Sequence, residues 1–190
     1  MDKRLRITFN SPVILGFVAI CFIAFILNII TGEASNRLLF MVYRWSLLSP
    51  LTYVRFFTHV LGHGNWEHFI GNMMFILLLG PLLEEKYRSL AVLRVILVTA
   101  LVTGLINFIF FPGISLLGAS GVVFAFILLS SITNAKEKEI PITFILVGVI
   151  FLVQQVYEGL FVQNNISNLS HILGGMVGAL FGFVFAKRRA

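Results

Sequence analysis

Apolar residues in this 190-residue chain gather into runs close to the length of a membrane span, and the runs recur almost to its end. The first covers 12–30, with Asn28 near its outer end, and closes at Thr31-Gly32. It is long enough to cross ~30 Å of hydrocarbon at about 1.5 Å per residue. Five more follow at 68–83, 90–111, 116–133, 142–160 and 170–186. Each boundary carries a break: Gly80-Pro81 with Glu84-Glu85, Pro112-Gly113, Asn134, Pro141 and Asn164-Asn165. The pattern predicts an all-α membrane protein, a six-helix bundle forming one domain over 1–190. The second and fourth runs are short for lipid-facing helices, so the inner spans should be partly enclosed by others.

Composition agrees with the pattern. Apolar residues make up 58% and charged residues 12% of the chain, about half the charge fraction of a soluble domain, and mean hydropathy is +0.98. The net charge of +6 is a topology signal. With six spans, both termini share one side, which holds Lys3, Arg4, Arg6, Lys86, Arg88, Arg94, Lys136, Lys138, Lys187, Arg188 and Arg189. The other side keeps Arg37, Arg44 and Arg55. That asymmetry puts both ends in the cytoplasm. The basic partner is then anionic lipid rather than nucleic acid. The basic start and first run are too long for a cleaved signal and read as a retained span. Cys21 is the single cysteine, so no intrachain disulfide forms.

The connection 32–65 is unusually long, and loops of that length usually serve a function. Leu38-Leu39-Phe40-Met41-Val42-Tyr43-Arg44-Trp45-Ser46 suits a headgroup layer better than water. A part-helical segment lying in the outer leaflet is expected.

Polar residues at membrane depth are costly and need a reason. Ser120 lies 16 residues before Lys136, and His171 lies 16 before Lys187. If helical, both sit about 24 Å above the cytoplasmic charges. His68 and Asn72 lie 18 and 14 residues before Lys86, bracketing the same layer. Small neighbours in Gly118-Ala119-Ser120-Gly121 let backbone and substrate approach the hydroxyl. A serine alcohol needs an adjacent base, usually neutral histidine. The ladder Gly174, Gly178 and Gly182 after His171 would pack the last span tightly on a neighbour. Asn72, with His68 one turn earlier, could donate to an oxyanion. No acidic residue is near either reacting position, so the spacing points to a dyad without an orienting carboxylate.

These residues resemble the rhomboid family. Gly118-Ala119-Ser120-Gly121 and the glycine-laddered span headed by His171 are similar to its Gly-x-Ser-Gly and His-x-x-Gly-x-x-x-Gly pattern. Arg55-Phe56-Phe57-Thr58-His59-Val60-Leu61-Gly62-His63 resembles the family's stretch entering the second span, and Gly80-Pro81-Leu82-Leu83-Glu84 its exit. The match covers about 50–186. It implies a six-span intramembrane serine protease with a membrane-embedded first loop. Ser120 would be the nucleophile and His171 the general base. Asn72, His68 and the Ser120 N–H would form the oxyanion hole beside Gly118 and Gly121. Its substrates would be single-span membrane proteins, cut at or near the outer face without a cofactor. Span five with its neighbouring loop would be the substrate gate. Val54 stands where many members have Trp. Phe124 stands where many have a Tyr packed on the histidine, keeping the ring and losing the hydroxyl.

Other readings compete. A serine among glycines is often a packing residue, and a histidine at a span's end is often only wetted. His59 and His63, four apart, lack a third metal ligand and read as structural; Glu84 also reads as structural. A non-catalytic relative that binds membrane proteins is the alternative function, although such relatives typically lack the serine or the histidine. A transporter would place charge deep in spans two to six, where Glu158 is the nearest case. A bacterial cell membrane is the simplest home for so compact a core.

Overall fold

The structure is a computed structural model and describes residues 8–133, 135, 139–161 and 168–187. Lys3, Arg4, Arg6, Lys136, Lys138, Arg188 and Arg189, used above to orient the chain, lie outside the described residues. Helices run over α1 Pro12–Ile30, α2 Pro50–Thr58, α3 Trp66–Tyr87, α4 Ser89–Phe110, α5 Ser120–Ile132, α6 Ile142–Phe161 and α7 Asn168–Lys187. Five of them (α1, α3, α4, α6 and α7) are long and apolar enough to cross a membrane. The sixth apolar helix, α5, has 13 residues and is about 20 Å long, short of a ~30 Å core. Among the described residues the only β pairing is an isolated bridge between Val42 and Leu116.

α5 can be short because other helices surround it. Gly121, Val122, Val123, Ala125, Phe126, Leu128, Leu129 and Ile132 are all buried, so most of the helix never meets lipid. α7 lies against it almost backbone to backbone. A Cβ on Gly174 would strike the Gly121 carbonyl, and one on Gly178 would strike the Ala125 carbonyl. The spacing of four on both helices is the small-xxx-small arrangement of membrane helix pairs. α6 is held far more loosely, with Phe151 and Gln155 its only buried residues.

Two boundaries differ from the sequence reading. α3 continues through Gly80-Pro81 to Tyr87, giving 22 residues where a short span was expected. Pro81 removes one backbone donor, which a bundle of packed helices tolerates. Gly80 is a contact point for α1, since a Cβ there would collide with the Ile14 side chain. The turn comes at Arg88, the single residue between α3 and α4, with φ +71°. The fourth predicted span, α5, starts at Ser120 rather than 116, because residues 111–119 form a connection. That connection is tied down by Asn107 Nδ2 donating to the Ile114 carbonyl (2.9 Å) and by the Val42–Leu116 pairing.

The long first connection is part-helical. It holds a π-helical turn at Asn36–Phe40, then α2, then a 3-10 turn at His59–Leu61. Polar side chains fasten it to the bundle. Arg55 Nε donates to the Leu38 carbonyl (2.9 Å), and its guanidinium lies 4.5 Å from the Tyr43 ring centre. Thr58 Oγ1 donates to the Leu39 carbonyl. The His59 ring bridges the Arg55 carbonyl and the Thr103 hydroxyl of α4, each at 3.2 Å. Asn28 and Asn36 both donate to the His63 carbonyl. Burial holds His59 well below the ordinary histidine range, at about 4. His63 is also held at about 4, by burial and by the neighbouring His68 charge. Both imidazoles are therefore neutral at pH 7 and act as structural hydrogen-bonding groups.

Candidate active site

Ser120 is the first residue of α5 and is half-buried. The approach to it is set by Gly118, at φ +119°. A Cβ on Gly118 would lie 2.5 Å from the His68 ring, so both the backbone conformation and the close approach of His68 require glycine here. The Gly118 N–H donates to the His59 carbonyl (2.9 Å), which ties this strand to the first connection. The opening N–H groups of α5 have no partner within the helix and carry its positive dipole end. A developing negative charge beside Ser120 would face them.

His171 sits in the first turn of α7 and is buried. The close seating of α7 on α5 brings the start of one helix to the start of the other: the Ser170 carbonyl lies 3.4 Å from where a Gly121 Cβ would be. Serine and imidazole therefore flank a single backbone contact. The imidazole ring centre is 4.6 Å from that of Phe124, one turn below Ser120. Phe124 in turn packs on Phe151 of α6 at 4.4 Å. Nδ1 of His171 is 2.7 Å from Oε1 of Gln155. Among the described residues the imidazole makes that hydrogen bond and none to Ser120. Catalytic hydrogen bonds in substrate-free enzymes are often long and tighten when substrate binds.

Asn72 is buried on α3, and its Nδ2 has no partner among the described residues. A buried donor left unpaired costs about 1–3 kcal/mol, which calls for a reason. His68, one turn earlier, packs its ring on Gly118 and edge-on against His63 at 5.2 Å between centres. Direct contacts join His68 to Gly118 and His171 to Phe124, and Ser120 and His171 each adjoin the Gly121–Ser170 approach. Asn72 stands on the His68 face of α3. Gly174 and Gly178 act at a distance, by letting α7 approach.

A family model for the rhomboid domain matches residues 50–188. The chain belongs to the rhomboid family. Its relatives span kingdoms. This rhomboid chain is 32% identical over 157 residues to mouse rhomboid-related protein 2, covering 72% of the chain and 52% of that protein. It is 27% identical over 142 residues to the rhomboid protease GlpG of Haemophilus influenzae, covering 71% of each. With GlpG of Yersinia pestis it shares 24% over 177 residues, covering 91% of the chain and 62% of that protein. The chain spans about half the length of the mouse relative. As a rhomboid with several membrane-crossing helices, it is a multi-pass integral membrane protein.

Sequence reasoning did not single out Gln155 or Phe151. The available signal was Gln154-Gln155 following the apolar run 144–153, a polar pair within the span. This rhomboid also has an open, mainly apolar cavity of about 930 Å³ between α3 and α6, floored by α5. Phe75, Leu78, Ile127, Ser131, Thr143 and Val147 are among its lining residues. Ile127 and Ser131 lie about 10–16 Å along α5 from Ser120.

Proposed function

We propose that this rhomboid is an intramembrane serine endopeptidase acting on transmembrane proteins, with 1–190 folding as one rhomboid-type domain. The observation that carries the reading is the seating of α7 on α5. It packs the helix that carries the buried His171 against the helix that opens at Ser120, which supports the pairing. Ser120 Oγ attacks the substrate carbonyl while His171 Nε2 takes its proton. Asn72 Nδ2, His68 and the Ser120 N–H steady the tetrahedral oxyanion, and Asn72's unpaired donor supports that role. Collapse breaks the C–N bond, and the leaving amine takes the proton from His171. Water, deprotonated by the same imidazole, then releases the acyl group from Ser120.

The substrate would be a single-span protein entering between α3 and α6. α6 is the most weakly held span, which supports entry beside it; the cavity itself lies toward the α5–α6 connection, about 10 Å or more along α5 from Ser120. The Lys/Arg asymmetry supports cytoplasmic termini, which would put Ser120 near the outer face. The test is cleavage of a model single-span substrate by purified protein beside Ser120→Ala. Cleavage by the wild type alone is expected. Equal cleavage by both, or none by the wild type across varied substrates, would overturn the reading in favour of a non-catalytic binder.

A further inference from the structure

We infer that Gln155 is a positioning residue for His171, making the reacting group a Ser120–His171–Gln155 triad with a neutral third member. The inference rests on the protease reading. A primary amide in an apolar span is costly to bury unless it is hydrogen-bonded, and Gln155 is only 2% exposed. Its Oε1 is 2.7 Å from His171 Nδ1, the length of a strong hydrogen bond. An amide oxygen has no hydrogen to give, so with Oε1 facing the ring this hydrogen bond puts the proton on Nδ1. The lone pair then resides on Nε2, the nitrogen a serine base needs.

A second observation concerns α6. Its only two buried residues are Phe151 and Gln155, four apart on one face, and both serve this histidine. Gln155 holds its edge, while Phe151 backs the Phe124 ring that lies on its face. The imidazole is thus fixed in rotation by one contact and in tautomer by the other. When His171 takes the Ser120 proton, the Gln155 carbonyl dipole faces the new positive charge. A neutral amide does this without placing a carboxylate inside the membrane, where charge is expensive. Cysteine proteases of the Cys-His-Asn type use a neutral amide in the same place.

The experiment measures single-span substrate cleavage by the full chain with Gln155→Leu and Gln155→Glu, beside Ser120→Ala. Gln155→Leu keeps the bulk and removes the acceptor. Its kcat should fall about 10–100-fold, as expected for losing one hydrogen bond to the imidazolium formed in the reaction, with KM changed less than about twofold. Gln155→Glu restores an acceptor and should recover kcat to within about tenfold of wild type. The inference is overturned if Gln155→Leu turns over like wild type while Ser120→Ala is dead. Equal losses in both Gln155 variants, matched by equal losses in melting temperature, would also overturn it in favour of packing. Nitrogen-15 histidine NMR of the wild type, with the His171 signals assigned by their loss in His171→Ala, needs no Gln155 variant to fold. A protonated Nδ1 and a bare Nε2 are expected, and the opposite tautomer refutes the inference. A wild type that cleaves nothing would instead remove the protease reading beneath it.

Discussion

Glu84 is the residue whose replacement should most clearly separate a built contact from a chance one. It is 4% exposed near the end of α3, and its carboxylate holds the start of α1. Oε1 accepts from the Val13 N–H at 3.0 Å and from Ser89 Oγ at 2.6 Å, and Oε2 accepts from the Ile14 N–H at 3.0 Å. Ser11, the residue before α1, offers no side-chain cap of its own, so these first-turn donors depend on α3. Glu84→Gln keeps shape and size but turns one acceptor into a donor. One backbone N–H of α1 is then left facing an NH₂ group, at a loss of about 1.5–3 kcal/mol for a bond to a charged group. Losing the negative charge at a helix N-terminus adds about 0.3–1 kcal/mol. The sum is roughly 2–4 kcal/mol. At about 2–4 °C per kcal/mol for a chain of this size, melting in detergent should drop by roughly 5–15 °C. Glu85→Gln, an exposed neighbour, is the control and should melt like wild type. A Glu84→Gln melt within about 1 °C of wild type would refute the cap, since no other loss on that scale is invoked.

Further predictions concern packing, the oxyanion site and pH. Gly178→Val places a side chain against the Ala125 carbonyl, a backbone atom that has nowhere to move. Melting temperature and cleavage should fall together, by about 1–3 kcal/mol or more in stability, whereas Gly16→Ala, with open space around it, should do neither. Asn72→Ala should slow kcat about 10²-fold if Nδ2 donates to the oxyanion. It should barely change melting, because Nδ2 has no resting partner; the reverse pattern would make Asn72 structural. His59 and His63 are held at about 4 in the fold, below the ordinary value of 6.5. The unfolded chain therefore binds more protons between those values. Stability should be flat above pH 6.5 and fall as pH drops toward 4, and a thermal melt series across that window checks the slope.

The spans were legible because lipid demands long apolar runs, and α1 meets that demand with Asn28 as its single polar residue. Gly80-Pro81 misled because, in water, that pair ends a helix; here packing against Ile14 and neighbouring helices carries α3 through it. The start of α5 was misplaced because Ile114 and Leu116 are as apolar as a span. Their backbone bonds run instead to Val42 and Asn107. Ser120, His171, His68 and Asn72 were singled out because each is a polar residue at a similar count before the next lysine on alternate apolar runs. Gln155 belongs to the antiparallel α6, so the same counting did not align it with them. Its role depends on a tertiary contact to Nδ1 that spacing does not encode.

The central claim is that Ser120 is a nucleophile activated by His171, and intact-mass analysis after treatment with an alkyl fluorophosphonate tests it most directly. The wild-type chain should gain one phosphonyl group, mapped by fragmentation to Ser120. Ser120→Ala should gain none, and His171→Ala should react far more slowly. A chain that cleaves substrate yet takes the label elsewhere, or labels Ser120 at the same rate without His171, would contradict the dyad.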